Sequence, residues 1–168
     1  MMPPLPLSPP VRLVLGLRCA QPALLDALAG RLSLEFGALL ARSERQDVTP
    51  PTPESPAGRW QGEWLVPAEK VKPGGLARIK LHALRVEQLY LGTEARRRIR
   101  LEVAAVEALR VVRTTTQDAP HRLYLGSGIY GEVLLRWTAE AGYGALPWTP
   151  AEATGTALLE FFNRLHEG

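Results

Sequence analysis

Residues 113–136 read RTTTQDAPHRLYLGSGIYGEVLLR, three extended stretches separated by two reversals. Gly126-Ser127-Gly128 is a three-residue hairpin loop with glycine where a positive φ is needed. It sets Leu125 opposite Ile129, so that Tyr124 faces Tyr130 and Arg122 faces Glu132. Gln117-Asp118-Ala119-Pro120 reads as a four-residue reversal that sets Thr116 opposite His121, Thr115 opposite Arg122 and Arg113 opposite Tyr124. Period-two alternation then sorts the side chains. One face collects Arg113, Thr115, Arg122, Tyr124, Tyr130 and Glu132. The other collects Val112, Thr114, Leu123, Leu125, Ile129, Val133 and Leu135, with Thr116 and His121 at its margin, and is expected to be core.

Upstream, Val11 to Arg18 (VRLVLGLR) is a nearly continuous apolar run, short enough for a central strand. Pro22 opens a helix, where its missing N–H costs nothing, and Leu25, Leu28, Leu32 and Phe36 follow at helical spacing until Gly37 stops it. Ala38 to Asp47 is expected as a second strand, Thr49 to Gly58 with four prolines as a loop, and Arg59 to Val66 as a third strand ended by Pro67. Trp60, Gly62, Trp64 and Val66 share one face of it. A second helix is expected from Gly74 to Leu91, buried along Ile79, Ala83, Val86 and Tyr90, with Gly92 as its C-cap. Ile99 to Val103 reads as extended, with a bend or bulge at Ala104-Ala105, although Val103 to Leu109 also permits helix. Leu109 to Thr116, His121 to Leu125 and Ile129 to Trp137 are the remaining strands. Thr149-Pro150-Ala151-Glu152 has the form of a capping box with proline at the first helical position, followed by the stripe Leu158, Phe162, Leu165.

The order β-α-β-β-α-β, then an antiparallel extension and a final helix, predicts an α+β protein. The expected architecture is a ferredoxin-like, split βαβ two-layer sandwich: helices on one face of a mostly antiparallel sheet, the other face partly open. Residues 1–10 are expected as a disordered proline-rich tail and 11–168 as a single domain.

Composition narrows the function classes. The net charge of +3, from 20 basic and 17 acidic residues, is far from the concentrated footprint of a dedicated nucleic-acid binder. Cys19 is alone, so no internal disulfide forms and a thiolate metal site is not expected; His82, His121 and His166 lack metal-ligand spacing. MMPPLPLSPP has neither the basic nor the apolar region of a signal peptide, and no apolar run is long enough to span a membrane. A cytoplasmic location, no cofactor and no metal are the expectations. No P-loop or nucleophile-elbow pattern is present, Gly126-Ser127-Gly128 contains G-x-G but between two strands and so is a turn, and no pair of carboxylates forms an obvious acid/base couple. The run Arg96-Arg97-Arg98 beside Arg100 reads as a solvated turn or a phosphate contact.

What stands out is the polar face. Two arginines, a carboxylate, hydroxyls and two aromatics converge there, a mixture that suits a phosphate- or carboxylate-bearing ligand with a flat ring. Arg113, Thr115, Arg122, Tyr124, Tyr130 and Glu132 are the candidate ligand-binding residues, and His121 and Glu132 the candidates for acid/base chemistry. The same residues also serve a plain structural purpose, since cross-strand Arg–Glu and Tyr–Tyr pairs stabilise sheets by roughly 0.2–1 kcal/mol each.

The pattern Thr115-Thr116-x-Asp118-x-x-His121-Arg122-Leu123-Tyr124-Leu125-x-x-Gly128-Ile129-Tyr130-x-Glu132-Val133 resembles the signature block of the bacterial domain-of-unknown-function family 4416. Weaker similarity runs through Leu76-Ala77-x-Ile79-Lys80 with Glu87, and through Trp148-Thr149. The chain resembles a divergent member. Gln117 stands where the family usually has lysine, Glu102-Val103-Ala104-Ala105 replaces an Asp-Pro-Gly-Tyr stretch, and Ala83-Leu84 replaces a threonine-asparagine pair. The family's tyrosine- and phenylalanine-rich loop after the second strand gives way to the proline-rich 49–58. The resemblance implies a fold and a polar patch, not a reaction. Three readings of function stay open, ranked in this order: binding or turnover of an anionic small molecule such as a nucleotide or sugar phosphate; a homodimer contact through the sheet face or Trp60 and Trp64; and an RNA-binding module, disfavoured by the low charge.

Overall fold

The computed structural model describes residues 8–51, 55–91 and 98–166. The start of the proline-rich tail, the centre of the 49–58 loop, the Gly92 cap and Arg96-Arg97 lie outside the described residues.

Among the described residues, ten strands form one antiparallel sheet: β1 (Val11–Cys19), β2 (Leu39–Arg42), β3 (Gln46–Val48), β4 (Trp60–Pro67), β5 (Lys70–Val71), β6 (Ile99–Val106), β7 (Arg110–Thr115), β8 (Leu123–Gly126), β9 (Ile129–Thr138) and β10 (Gly142–Ala145). Their order is β10-β9-β7-β6-β1-β4-β2, with β3 beside β4, β5 beside β1 and β8 beside β9. The α-helices among the described residues are α1 (Leu25–Phe36), α2 (Leu76–Gln88) and α3 (Thr156–His166). The mixed α/β class expected from the sequence is present, as is the large antiparallel sheet.

The expected apolar run is the central strand β1, flanked by β4 and β6. Its odd-numbered residues, Val11 to Cys19, pack with Leu25, Leu28, Leu32, Ala83 and Val86 of α1 and α2. Each such leucine, fully buried, contributes about 1.5–3 kcal/mol. Ala104 and Ala105 continue β6 without a bend or helical turn, Ala105 buried with the α1 and α2 residues and Ala104 on the other face of the sheet. The second expected strand is split into β2 and β3, both paired with β4.

The helices do not all lie on one face. Leu158, Phe161 and Phe162 of α3 pack on the opposite side, over Val14, Trp64, Val66, Ala104, Val111 and Leu135. Trp60 and Trp64 are buried within the chain. The capping box does not form. Thr149 Oγ1 donates to Leu134 O at 2.6 Å and accepts from Leu146 N at 2.8 Å, so it is not free to cap, and α3 begins only after Gly155.

Two charged residues of α2 are part of the interior. β7 pairs with β6 only from Ala104 to Val106, which leaves the outer edge of Leu101 without a strand. Glu87 Oε1 accepts from Leu101 N at 2.7 Å, and Lys80 Nζ donates to Leu101 O at 2.6 Å. Thr114 Oγ1 donates to Val103 O at 2.9 Å in the same gap. Side chains thus replace the missing ladder, as buried backbone groups require.

Candidate functional site

β9 positions the site. On one edge it pairs with β7, setting Arg113 opposite Glu132 and Thr115 opposite Tyr130. On the other edge it pairs with β8 around Tyr124–Tyr130, and with β10 from Leu135 onward. The tight hairpin forms with Tyr124 opposite Tyr130 as expected, but a bulge between Tyr124 and Gly126 sets Gly126, not Leu125, opposite Ile129; Gly126 and Gly128 are both at positive φ. The pairing of β7 with β8 does not occur: Arg113 does not face Tyr124, nor Thr115 Arg122. The 117–120 segment is a crossover rather than a hairpin. Gln117 N donates to Thr115 Oγ1 and Arg122 N to Ala119 O, bending the chain around the end of β9 to its far edge.

That crossover brings the candidate residues closer together than a three-strand meander would. Glu132 is buried, its side chain fully shielded. Arg113 Nε donates to Oε1 at 2.7 Å, with Nη2 at 2.6 Å from the same oxygen. Arg122 Nε donates to Oε2 at 2.6 Å, and His121 Nε2 lies 2.7 Å from Oε2. Arg122 Nη1 also donates to Gln117 O at 2.8 Å. Burial pushes the Glu132 carboxyl up, but the Arg122 hydrogen bond, the charge and hydrogen bond of Arg113 and the His121 contact together hold it below the ordinary carboxylate range. An ionised Glu132 accepts only, so His121 Nε2 is the donor in this contact. Two guanidiniums against one carboxylate leave the cluster with one positive charge in excess. The side chains of Arg113, Arg122 and His121 keep 15%, 14% and 27% of their exposure. The site is a half-buried cluster and not an open sheet surface.

The other candidates sit around it. Thr115 is buried beside Tyr130, while Tyr124 is exposed, its ring 5.3 Å from that of Tyr130 and its hydroxyl accepting from Gly128 N. Leu123 and Leu125, expected in the core, are 76% and 43% exposed. The α1/α2 core takes its strand residues from β1, β4 and β6, so no helix layer covers β8.

Two further groups had no local signal in the sequence. β8 and β10 leave β9 unpaired between residues 132 and 134 on their shared edge. Trp148 Nε1 donates to Val133 O at 2.8 Å, and with Thr149 it fills that gap. The Trp148 ring stacks on His121, centroids 4.8 Å apart, and holds the imidazole against Glu132. Only the family-like Trp148-Thr149 pair pointed this way. Beyond Arg113, Arg18 joins Glu102 at 2.8 Å and also pairs with Glu152. A crevice of about 20 Å³, room for about one water, lies between this pair and Arg113.

Among the described residues, no group of three or more His, Cys, Asp or Glu side chains is placed to hold a metal ion. Nor is any described helix long and apolar enough to cross a membrane. No curated protein and no solved structure matches the chain. A family model does, from residue 9 to 168, and so takes in every strand and helix that builds the cluster around Glu132. The chain belongs to the family described as domain of unknown function, DUF4416.

Proposed function

We propose that this protein binds a small anionic molecule, of the phosphate- or carboxylate-bearing class, at the Arg113–Arg122–His121 cluster. The observation that carries the reading is the charge balance around Glu132: one shielded carboxylate fixes two guanidiniums and an imidazole, and one positive charge remains uncompensated. Guanidiniums already held in place lose little conformational freedom on binding, which favours anion capture over a mobile surface arginine. Exposed Tyr124 and half-buried Tyr130 offer a flat surface beside it for a ring. On the same footing we read β1–α1–β2–β4–α2–β6 as a ferredoxin-like split βαβ unit. The order β6-β1-β4-β2 and the placement of α1 and α2 on one face support that reading.

Isothermal titration with inorganic phosphate, pyrophosphate and a set of nucleoside and sugar phosphates tests the site. Saturable, salt-sensitive binding is expected, weakened tenfold or more in a folded Arg122→Ala variant. Equal binding by both proteins, or none by either, would remove the proposal.

A further inference from the structure

Strand register arranges the face around Glu132 as two rows. Arg113 on β7, Glu132 on β9 and Arg122, the residue before β8, form the first. Thr115, Tyr130 and Tyr124 form the second. Neighbouring rows are two residues apart along each strand, roughly 7 Å at about 3.4 Å per residue. Tyr124 is the exposed member of the second row, at 63%. Its hydroxyl accepts from Gly128 N at 3.2 Å, so the ring leans towards the hairpin loop, away from Arg122, and is pinned at its far end. Tyr130 braces it, with ring centroids 5.3 Å apart and planes at 60°. A charged row and a fixed aromatic ring thus stand side by side, about the length of a sugar apart.

The charged row has room and charge for one anionic group. Two residues back along β7, Val111 faces the same way and is sealed with Leu135 under α3. On the β6 side Arg113 pairs with Ala104, which makes Glu102 its diagonal neighbour at roughly 7–8 Å. Glu102 and Glu152 share Arg18, and the crevice between them and Arg113 has room for about one water. Arg100, the next cation on that face, stands opposite Arg18, beyond Glu102. On the other side β8 pairs with β9 alone, so no strand continues the row. A second anionic group attached to the first would meet α3, a carboxylate or bulk water.

We infer that the ligand of this site is a free nucleoside monophosphate. Its phosphate lies against Arg113 and Arg122, its ribose spans the two rows, and its base stacks on Tyr124. The inference rests on the anion site proposed above and adds to it the ring and the number of phosphates. Stacking on a tyrosine reads no base edge, so purine and pyrimidine are both accepted.

The test titrates the full chain with adenosine monophosphate, cytidine monophosphate, adenosine triphosphate, ribose phosphate and adenosine, by calorimetry and by proton NMR of the adenine ring. The two monophosphates are expected to bind roughly tenfold or more tightly than ribose phosphate or adenosine, with the adenine ring protons shifted upfield by stacking. The triphosphate is expected to bind no more tightly than the monophosphate. Tyr124→Ser, a change at an exposed side chain, is expected to lower adenosine monophosphate to the affinity of ribose phosphate, and Tyr124→Phe, which keeps the ring, to restore it. Should ribose phosphate bind as tightly as the nucleotides, or Tyr124→Ser leave nucleotide affinity unaltered, the anion site stands and the nucleotide assignment falls. A triphosphate held tenfold more tightly than the monophosphate overturns the assignment of one phosphate. Binding of single-stranded RNA with none of adenosine monophosphate would mark an RNA surface and overturns it too. Silence from every probe removes both the inference and the anion site beneath it.

Discussion

Arg113 and Glu132 face each other directly across β7 and β9, and both Nε and Nη2 of the arginine reach Glu132 Oε1, at 2.7 and 2.6 Å. The carboxylate is fully shielded, and its second oxygen takes Arg122 and His121. Removing its charge leaves two guanidiniums crowded together in a site with little solvent. Glu132→Gln is therefore expected to cost about 3 kcal/mol of stability, since breaking a shielded ion cluster from one side exposes the remaining charges to each other. Urea unfolding of the two proteins measures it. A difference within error would mean that the cluster contributes no net stability to the native state.

The same carboxylate sets an acid limb. Its folded pKa lies below its unfolded value, so the folded state holds fewer protons here than the unfolded chain as pH falls. The stabilisation is present above the unfolded glutamate pKa of about 4.3 and is lost as pH drops through the lower, folded value. Urea midpoints between neutral pH and strong acid should fall more steeply for the wild-type chain than for Glu132→Gln below that point. Parallel profiles would show that another group governs the acid limb.

The core was legible because local and global signals agreed. The apolar run of β1 and the stripe Leu25, Leu28, Leu32 each had one way to be buried, and both helices end where glycine or a 3-10 turn allows. The polar cluster was legible in membership but not in pairing. Turn residues state where the chain reverses, not which edge of a later strand it will take. Gln117–Pro120 looked like a hairpin, but β9 could bury Glu132 against Arg113 only by taking the edge that β8 would have occupied. Leu123 and Leu125 were misplaced for a related reason: alternation identifies a face but not whether a helix reaches far enough to cover it. Thr149 had the local form of a cap, and a long-range bond to Leu134 O held its side chain elsewhere.

The α2 helix supports a prediction at a distance from the site. Glu87 Oε1 takes the Leu101 amide where β7 no longer reaches β6. Glu87→Ala strips a buried N–H of that acceptor and should cost about 1–3 kcal/mol, while Glu87→Gln, which keeps an oxygen in place, should cost less. Native-state hydrogen exchange gives the sharper readout. The Leu101 amide should exchange faster in the alanine variant than in the glutamine variant, relative to neighbours in β6. Equal protection in both would show that the amide has found another partner.

At the far end of β9, Tyr143 on β10 buries its ring between α3 and the sheet, and its hydroxyl donates to Glu107 O at 2.5 Å. Burial, with a contribution from the Glu107 charge, pushes its pKa up to about 12. A phenol whose folded pKa exceeds its unfolded value near 10 keeps its full stabilisation below that unfolded value. It loses that stabilisation as pH climbs from about 10 towards 12, because the unfolded chain releases the proton first. Spectrophotometric titration of the four tyrosines should therefore contain a late phase near 12 that disappears in Tyr143→Phe. The phenylalanine variant, which leaves Glu107 O without this donor, should be less stable at neutral pH by about 1 kcal/mol, yet lose less stability on going from pH 10 to 12. If the late phase survives the substitution, the buried tyrosine is not its source.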